Sequence, residues 1–119
     1  MVSKKIVAQA IIKKAEKDYD DVKVMTSMVE GFESPDKIMN KEKGKEGFTP
    51  DVMLRNNEVT ELYEIDLSRD FKLEKWKLFS RFSNKEDRSF CIVTHEEHLH
   101  PLRDFLDQNK IKARILYFA

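Results

Sequence analysis

The alternation of apolar and polar residues along the chain predicts three helices and five strands. Residues 3–19 place Val7, Ile11 and Ala15 on one face and lysines on the other, as an amphipathic helix does. A second helix is expected from a cap at Ser68 or Asp70 to about residue 82, and a third from about residue 101 to 109. Apolar runs predict the strands, at 22–26, on either side of a turn within 49–66, at 89–94 and at 111–118.

This order of elements predicts one α/β domain spanning residues 1–119. The first three strands, of which the second and third form a hairpin, should run antiparallel. Right-handed crossovers would then place the fourth and fifth strands parallel to the third. We therefore expect a single mixed five-stranded sheet in spatial order 1-2-3-4-5, flanked by three helices.

The segment 49–66, TPDVMLRNNEVTELYEID, predicts a hairpin with a two-residue turn at Asn56 and Asn57. Asparagine tolerates the positive φ that such turns require. This turn would pair Arg55 with Glu58, and the ladder would then set residue 51 opposite residue 62.

The same register directs Asp51, Glu64 and Asp66 to one face of the sheet, because side chains alternate along a strand. Like charges gathered at one place repel each other unless a cation or protons compensate. The cluster thus suggests a hard divalent metal such as Mg²⁺. The alternative is that one or more of these carboxylates is a solvated strand end.

Pro50-Asp51 opening a strand, a hairpin, and then Glu64-Ile65-Asp66 ending the next strand resembles the PD-(D/E)XK nuclease superfamily. The resemblance implies a restriction-endonuclease-like fold in which Asp51 and Glu64 hold Mg²⁺ or Mn²⁺, joined by Asp66. The family has a lysine that helps to position or activate the attacking water, and Asp66 stands in its place.

The lysine that the motif lacks has two candidate replacements on the second helix. Lys75 lies in the middle of its apolar stripe, and Lys72 and Trp76 flank that stripe. Either ammonium could point towards the carboxylates, or the methylene stem could pack while the ammonium reaches water. The family also often carries a glutamate on its first helix; Glu16 and Gln9 are the positions available here, and we expect Glu16 to be solvated.

Composition limits what the whole molecule can do. The chain has 22 basic and 22 acidic residues among 119, so its net charge creates no field that would steer it towards nucleic acid. Any DNA binding has to come from local patches. Cys91, the one cysteine, lies in an apolar run and is expected to be a buried, inert thiol. No apolar stretch is long enough to cross a bilayer and no signal-peptide pattern is present, so we expect a soluble cytoplasmic protein without a membrane partner.

Two further segments invite functional interpretations. Residues 27–48 form a long polar connection with Lys41, Lys43 and Lys45 interleaved with glutamates; it could cover a phosphate backbone or be a solvated loop. Within it, Asp36 is expected to begin a short helical turn that ends near residue 40. The histidines at 95, 98 and 100 do not have the spacing of a zinc site.

The sequence leaves three functional hypotheses. The first is a metal-dependent nuclease that hydrolyses DNA phosphodiester bonds with Asp51, Glu64, Asp66 and Lys72 or Lys75. Such a nuclease could act as a homodimer. The second is a degenerate nuclease-like domain that binds DNA or a protein partner without cleavage. The third is an unrelated α/β binding module.

Overall fold

The computed structural model describes residues 2–42 and 44–119, and within them five strands form one mixed sheet in the order β1-β2-β3-β4-β5. β1, β2 and β3 are antiparallel, and β4 and β5 run parallel to β3. The fold class and the strand order predicted from the sequence are confirmed. The strands are β1 (Lys23–Thr26), β2 (Val52–Arg55), β3 (Thr60–Asp66), β4 (Arg88–His95) and β5 (Arg114–Phe118).

Helices cover both faces of the sheet. Helix α1 (Lys4–Asp18) lies on one face, while α2 (Leu73–Phe82) and α3 (Leu99–Gln108) lie on the other; a 3-10 turn, Glu96–His98, precedes α3. Each face has its own core, because side chains of a strand alternate between the two sides. The α1 core contains Val7, Ile11, Val52, Leu54, Tyr63, Ile65 and Val93, and the α2–α3 core contains Met25, Met53, Leu62, Trp76, Phe79, Ile92 and Leu102.

The predicted two-residue hairpin turn is wrong. Arg55 pairs with Thr60, so the connection consists of the four residues 56–59. The Asn56 side chain accepts hydrogen bonds from the N–H groups of Glu58 (2.8 Å) and Val59 (2.9 Å), and the N–H of Asn56 donates to the Val59 carbonyl (3.0 Å). Asparagine therefore builds this turn through its side chain rather than through a positive φ.

The register differs from the predicted one by two residues, and this matters for the site. A shift of two preserves which face each side chain occupies, whereas a shift of one would reverse it. Val52 pairs with Tyr63, so Asp51, one residue outside β2, lies opposite Glu64 rather than opposite Leu62. The correction brings the two acidic residues closer together along the strands.

The helical turn predicted from Asp36 to residue 40 does not form. Ile38 instead makes an isolated bridge with Phe48, with N···O distances of 2.7 and 2.9 Å. Gly47 allows this approach, because a Cβ there would lie 2.4 Å from the Ile38 carbonyl oxygen. Ile38 is thereby buried in the α2–α3 core, which explains why the segment is extended. Lys43, part of the predicted basic run, lies outside the described residues.

The remaining differences concern element ends. Helix α1 begins at Lys4 with Ser3 as its N-cap, close to the prediction. Helix α2 begins at Leu73 with Lys72 at the N-cap position and no side-chain cap, so neither Ser68 nor Asp70 caps it. The last strand begins at Arg114, three residues later than predicted, because the segment before it closes against α3: the Ile111 N–H donates to the Leu106 carbonyl.

Candidate functional site

Asp51 and Glu64 meet where β2 begins and β3 approaches its carboxyl end. The Asp51 N–H donates to Glu64 Oε2 (3.1 Å), and the Ile65 N–H donates to Asp51 Oδ2 (2.8 Å). Each carboxylate therefore accepts a hydrogen bond from the backbone of the other strand. This reciprocal arrangement fixes both side chains, and it brings together the two acidic residues that the sequence singles out.

Two lysines neutralise this acidic pair. Lys75 Nζ lies 3.0 Å from Glu64 Oε1, and Lys4 Nζ lies 3.5 Å from Asp51 Oδ2. The Lys75 side chain is only 19% exposed and the Glu64 side chain 5% exposed, so their ion pair is largely shielded from water. Of the two predicted orientations for Lys75, the structure has the one in which the ammonium points to the carboxylates. The sequence reasoning missed Lys4, whose position in the first turn of α1 carries no signal by itself.

Trp76 is a further member of the site that was predicted to flank the buried stripe. It is instead buried, at 1% exposure, and its indole N–H donates to Glu64 Oε1 (3.1 Å). A buried indole N–H needs an acceptor, and the nearest preceding strand offers a glutamate. That need is the signal in the sequence that could have linked the one tryptophan to the acidic strand.

Asp66, which occupies the position of the motif lysine, is buried and only partly satisfied. Its Oδ1 accepts hydrogen bonds from the N–H groups of Ser68 (3.4 Å) and Asp70 (3.0 Å). Its Oδ2 is buried and has no partner within the described residues, and the same holds for the hydroxyl oxygen of Thr94, its register neighbour in β4. Buried polar atoms are usually satisfied, so these two atoms are exceptions at this end of the sheet.

Lys72 lies at the rim of the site rather than inside it. Its side chain is about half exposed and forms an ion pair with Asp70. The hydrogen bond to Asp70 raises the pKa of Lys72, and the charges of Glu64 and Asp66 act in the same direction. Lys72 is thus a charged group at the entrance, and Lys75 is the ammonium in contact with the carboxylates.

The electrostatics of the site centre on Glu64. Burial is the main cause that raises its pKa above the ordinary value of 4.5, and the neighbouring charge of Asp51 adds to it. Lys75 and the Trp76 indole lower the pKa, but they do not cancel the desolvation. A carboxyl group so placed takes up a proton more readily than an exposed glutamate.

A small cavity of about 70 Å³ opens onto these groups. Its lining includes Glu64, Asp66, Lys72 and Lys75. The volume exceeds the roughly 30 Å³ that one water molecule occupies in the liquid, so the cavity can hold an ion or a few waters. The polar groups therefore face a space that a ligand can enter.

The donor chemistry suits a hard cation, although the carboxylates are heavily engaged. Oxygen ligands from Asp and Glu are those that Mg²⁺ and Mn²⁺ use. Three of the four carboxylate oxygens of Asp51 and Glu64 accept hydrogen bonds or ion pairs. Within the described residues, Asp51 Oδ1 and the buried Asp66 Oδ2 have no such partner. Within residues 2–42 and 44–119, no three His, Cys, Asp or Glu side chains are close enough together to form a complete metal-ligand group. The predicted metal site stays a prediction.

Several other residues considered from the sequence lie elsewhere. Gln9 and Glu16 are exposed on α1, which agrees with a solvated Glu16. Cys91 is fully buried, and burial raises the pKa of its thiol to about 11, so the inert interpretation is confirmed. In the part of the chain that the structure describes, no helix has the length and apolar composition needed to cross a membrane.

The histidine-rich segment does not converge on one point. His95 Nδ1 accepts a hydrogen bond from the Glu97 N–H (3.1 Å), and His98 lies beside Arg69. His100 is almost fully exposed and sits 3.9 Å from Asp104. Each ring thus has its own local partner.

Comparison of the chain with protein-family models, with curated proteins and with solved structures found no match in any of the three. The likeness to the PD-(D/E)XK superfamily therefore depends on the residues quoted above and on their arrangement.

Proposed function

We propose that this chain is a metal-dependent nuclease-like domain that acts on DNA phosphodiester bonds. The observation that carries the proposal is the meeting of Asp51 and Glu64 from two neighbouring strands, with the Lys75 ammonium 3.0 Å from Glu64. Paired carboxylates beside a shielded cation, with Glu64 and Lys75 lining a small polar cavity, suit phosphoryl chemistry, in which negative charge must be both held and compensated.

In this proposal Asp51 and Glu64 would hold Mg²⁺ or Mn²⁺, and Asp66 would join them when the ion binds. The bound ion would polarise a phosphate oxygen and lower the pKa of a coordinated water. Asp51 and Glu64 are fixed by backbone N–H groups, so they are oriented before any ligand arrives. Asp66, which also lines the cavity, has a buried Oδ2 without a hydrogen-bond partner within the described residues.

The lysines of α2 supply the positive charge that Asp66 cannot. Lys75 compensates Glu64 in the absence of a ligand and lies where the added charge of a phosphate group would be stabilised. Lys72, at the entrance and about half exposed, is suited to contact the phosphate backbone. The cationic role of the family's motif lysine thus falls to the helix that follows the strand.

A DNA cleavage assay tests this proposal. Supercoiled plasmid and single-stranded DNA are incubated with the protein and Mg²⁺ or Mn²⁺, and Asp51→Asn and Glu64→Gln are compared with the wild type. Asp36→Asn is the matched control, because Asp36 also follows a proline but pairs with Arg55 at the surface. We expect cleavage by the wild type and the control and loss of at least about a hundredfold in the two site variants.

The second candidate function is a non-catalytic domain that binds DNA or a protein partner. The observation that favours it is that protein groups already bind three of the four carboxylate oxygens of Asp51 and Glu64. These oxygens therefore need no metal ion to be satisfied. Such a domain would retard DNA in a gel, with an affinity that falls steeply with salt, and would not cleave it with either metal. Retardation without cleavage would replace the first proposal by the second.

A further inference from the structure

A second, larger cavity lies at the opposite end of the sheet from the acidic site. It has a volume of about 510 Å³ and is formed by the end of α2, the amino end of β4 and the segment leading into β5. Helix α2 connects the two regions, since Lys75 is in its first turn and Arg81 in its last. At 1.5 Å per residue, the six residues from Lys75 to Arg81 correspond to a rise of about 9 Å.

The lining of this cavity is basic. Arg81, Lys110, Lys112 and Arg114 line it, and no acidic residue does. Arg114 directs its guanidinium to the α1 face of the sheet, 3.8 Å from Glu61, so its charge lies outside the cavity. The other three form no ion pair within residues 2–42 and 44–119. Three cations around one concave space repel each other, although the whole chain has equal numbers of acidic and basic residues. An anion in the cavity would relieve that repulsion.

A hydroxyl group with unused hydrogen-bonding capacity lines the same cavity. Ser80 accepts a hydrogen bond from the Lys112 N–H (2.9 Å) and retains its hydroxyl hydrogen for an acceptor. Ser80 thus adds a neutral donor to the cationic lining, which suits a ligand that accepts hydrogen bonds.

We propose that this cavity is a binding site for the phosphate group of a nucleotide or of a nucleic-acid strand. Arginine, lysine and serine hydroxyls are the donors that phosphate oxygens use, and the site offers donors without a competing carboxylate in its lining. The volume falls in the range of small-molecule sites and exceeds what inorganic phosphate needs, so the phosphate can carry a larger group. The proposal does not depend on the metal site, which is formed by other residues at the other end of α2.

An NMR titration of the full chain with inorganic phosphate tests the site. We expect amide shifts centred on Ser83, Ser89 and residues 110–114, and a loss of affinity of about tenfold or more in the double variant Arg81→Gln/Lys112→Gln. The matched control is Lys13→Gln/Lys17→Gln, which removes the same charge from the exposed face of α1 and should change the affinity less than about twofold. Equal losses in the two double variants, or shifts spread over the whole surface, would reduce the binding to general ionic attraction and overturn the proposal.

Ser80→Ala provides a second, independent check. It removes the hydroxyl hydrogen that is free for an acceptor and leaves the three cations in place, so phosphate affinity should fall about threefold or more. Unchanged affinity in a folded Ser80→Ala variant would remove the hydroxyl from the site and contradict the argument made from it.

Titrations with adenosine monophosphate and with a single-stranded 12-nucleotide DNA distinguish the two sources of phosphate. Affinity for the DNA at least about tenfold above that for the mononucleotide, with a strong salt dependence, supports a nucleic-acid strand. Equal or tighter binding of the mononucleotide supports a nucleotide ligand. If adenosine monophosphate, the DNA and inorganic phosphate all fail to bind at millimolar concentration, the proposed phosphate site is wrong.

Discussion

Replacing Lys75 by methionine should reveal how strongly the buried carboxylate depends on its cation. Methionine retains most of the apolar stem and removes only the ammonium that lies 3.0 Å from Glu64 Oε1. At that distance, two unit charges interact by about 5–6 kcal/mol for an effective dielectric constant of 20. Lys75 is partly exposed, and Trp76 and the Asp51 amide continue to bond Glu64, so part of this energy is retained. We expect Lys75→Met to lower the free energy of unfolding by about 2–4 kcal/mol at pH 7.

The effect should depend on pH in a direction fixed by Glu64. Its pKa is raised in the folded protein, so its contribution to stability is greatest below the ordinary value of 4.5 and is lost as the pH rises through the folded value. Lys75 lowers that pKa, and its removal raises it further. The cost of Lys75→Met should therefore be largest at neutral pH and should vanish once the pH falls below the folded pKa of wild-type Glu64, where the carboxyl group is protonated in both proteins.

Urea unfolding at a series of pH values measures this cost. Lys14→Met is the control, because it breaks the exposed pair of Lys14 with Asp18 and should cost no more than about 0.5 kcal/mol. A double-mutant cycle with Glu64→Gln should give a coupling of at least about 1 kcal/mol. A cost that is independent of pH, or a coupling near zero, would refute the electrostatic description of the site.

Two other predictions concern the rest of the fold. Tyr63→Phe should destabilise the protein by about 1.5–3 kcal/mol in urea unfolding, because the buried Tyr63 hydroxyl donates to the Glu61 carboxylate (2.9 Å). Tyr19→Phe removes a similar hydrogen bond nearer the surface and should cost clearly less. Equal costs for the two variants would contradict the importance of burial. Gly47→Ala should lower the free energy of unfolding by about 1–3 kcal/mol, because the added Cβ would lie 2.4 Å from the Ile38 carbonyl oxygen. An unchanged melting temperature would show that Gly47 does not pack against Ile38.

The order of elements was predictable because it depends on long-range rules rather than on exact boundaries. Apolar runs gave the strands, and the absence or presence of a helix between them gave the antiparallel and parallel pairings. The approach of Asp51 to Glu64 was also predictable, because a register shift of two residues preserves the alternation on which it depends.

The parts that could not be predicted depend on tertiary contacts. The four-residue turn arises from the Asn56 side chain, and the extended path of residues 36–40 arises from the burial of Ile38 and its bridge to Phe48. The contact of Lys4 with Asp51 requires α1 to begin beside the start of β2. None of these contacts is encoded by periodicity within one element.

The central claim is that the acidic groups of two strands form a site for a divalent cation, and a titration of the ¹⁵N-labelled protein with Mn²⁺ tests it most directly. The account predicts paramagnetic broadening centred on residues 51 and 64–66 at substoichiometric metal. Because metal binding needs the Glu64 carboxylate, it should weaken as the pH falls through a midpoint above 4.5. Asp51→Asn should abolish the broadening, and Asp36→Asn should leave it unchanged. Broadening centred elsewhere, or equal in wild type and Asp51→Asn, would contradict the claim.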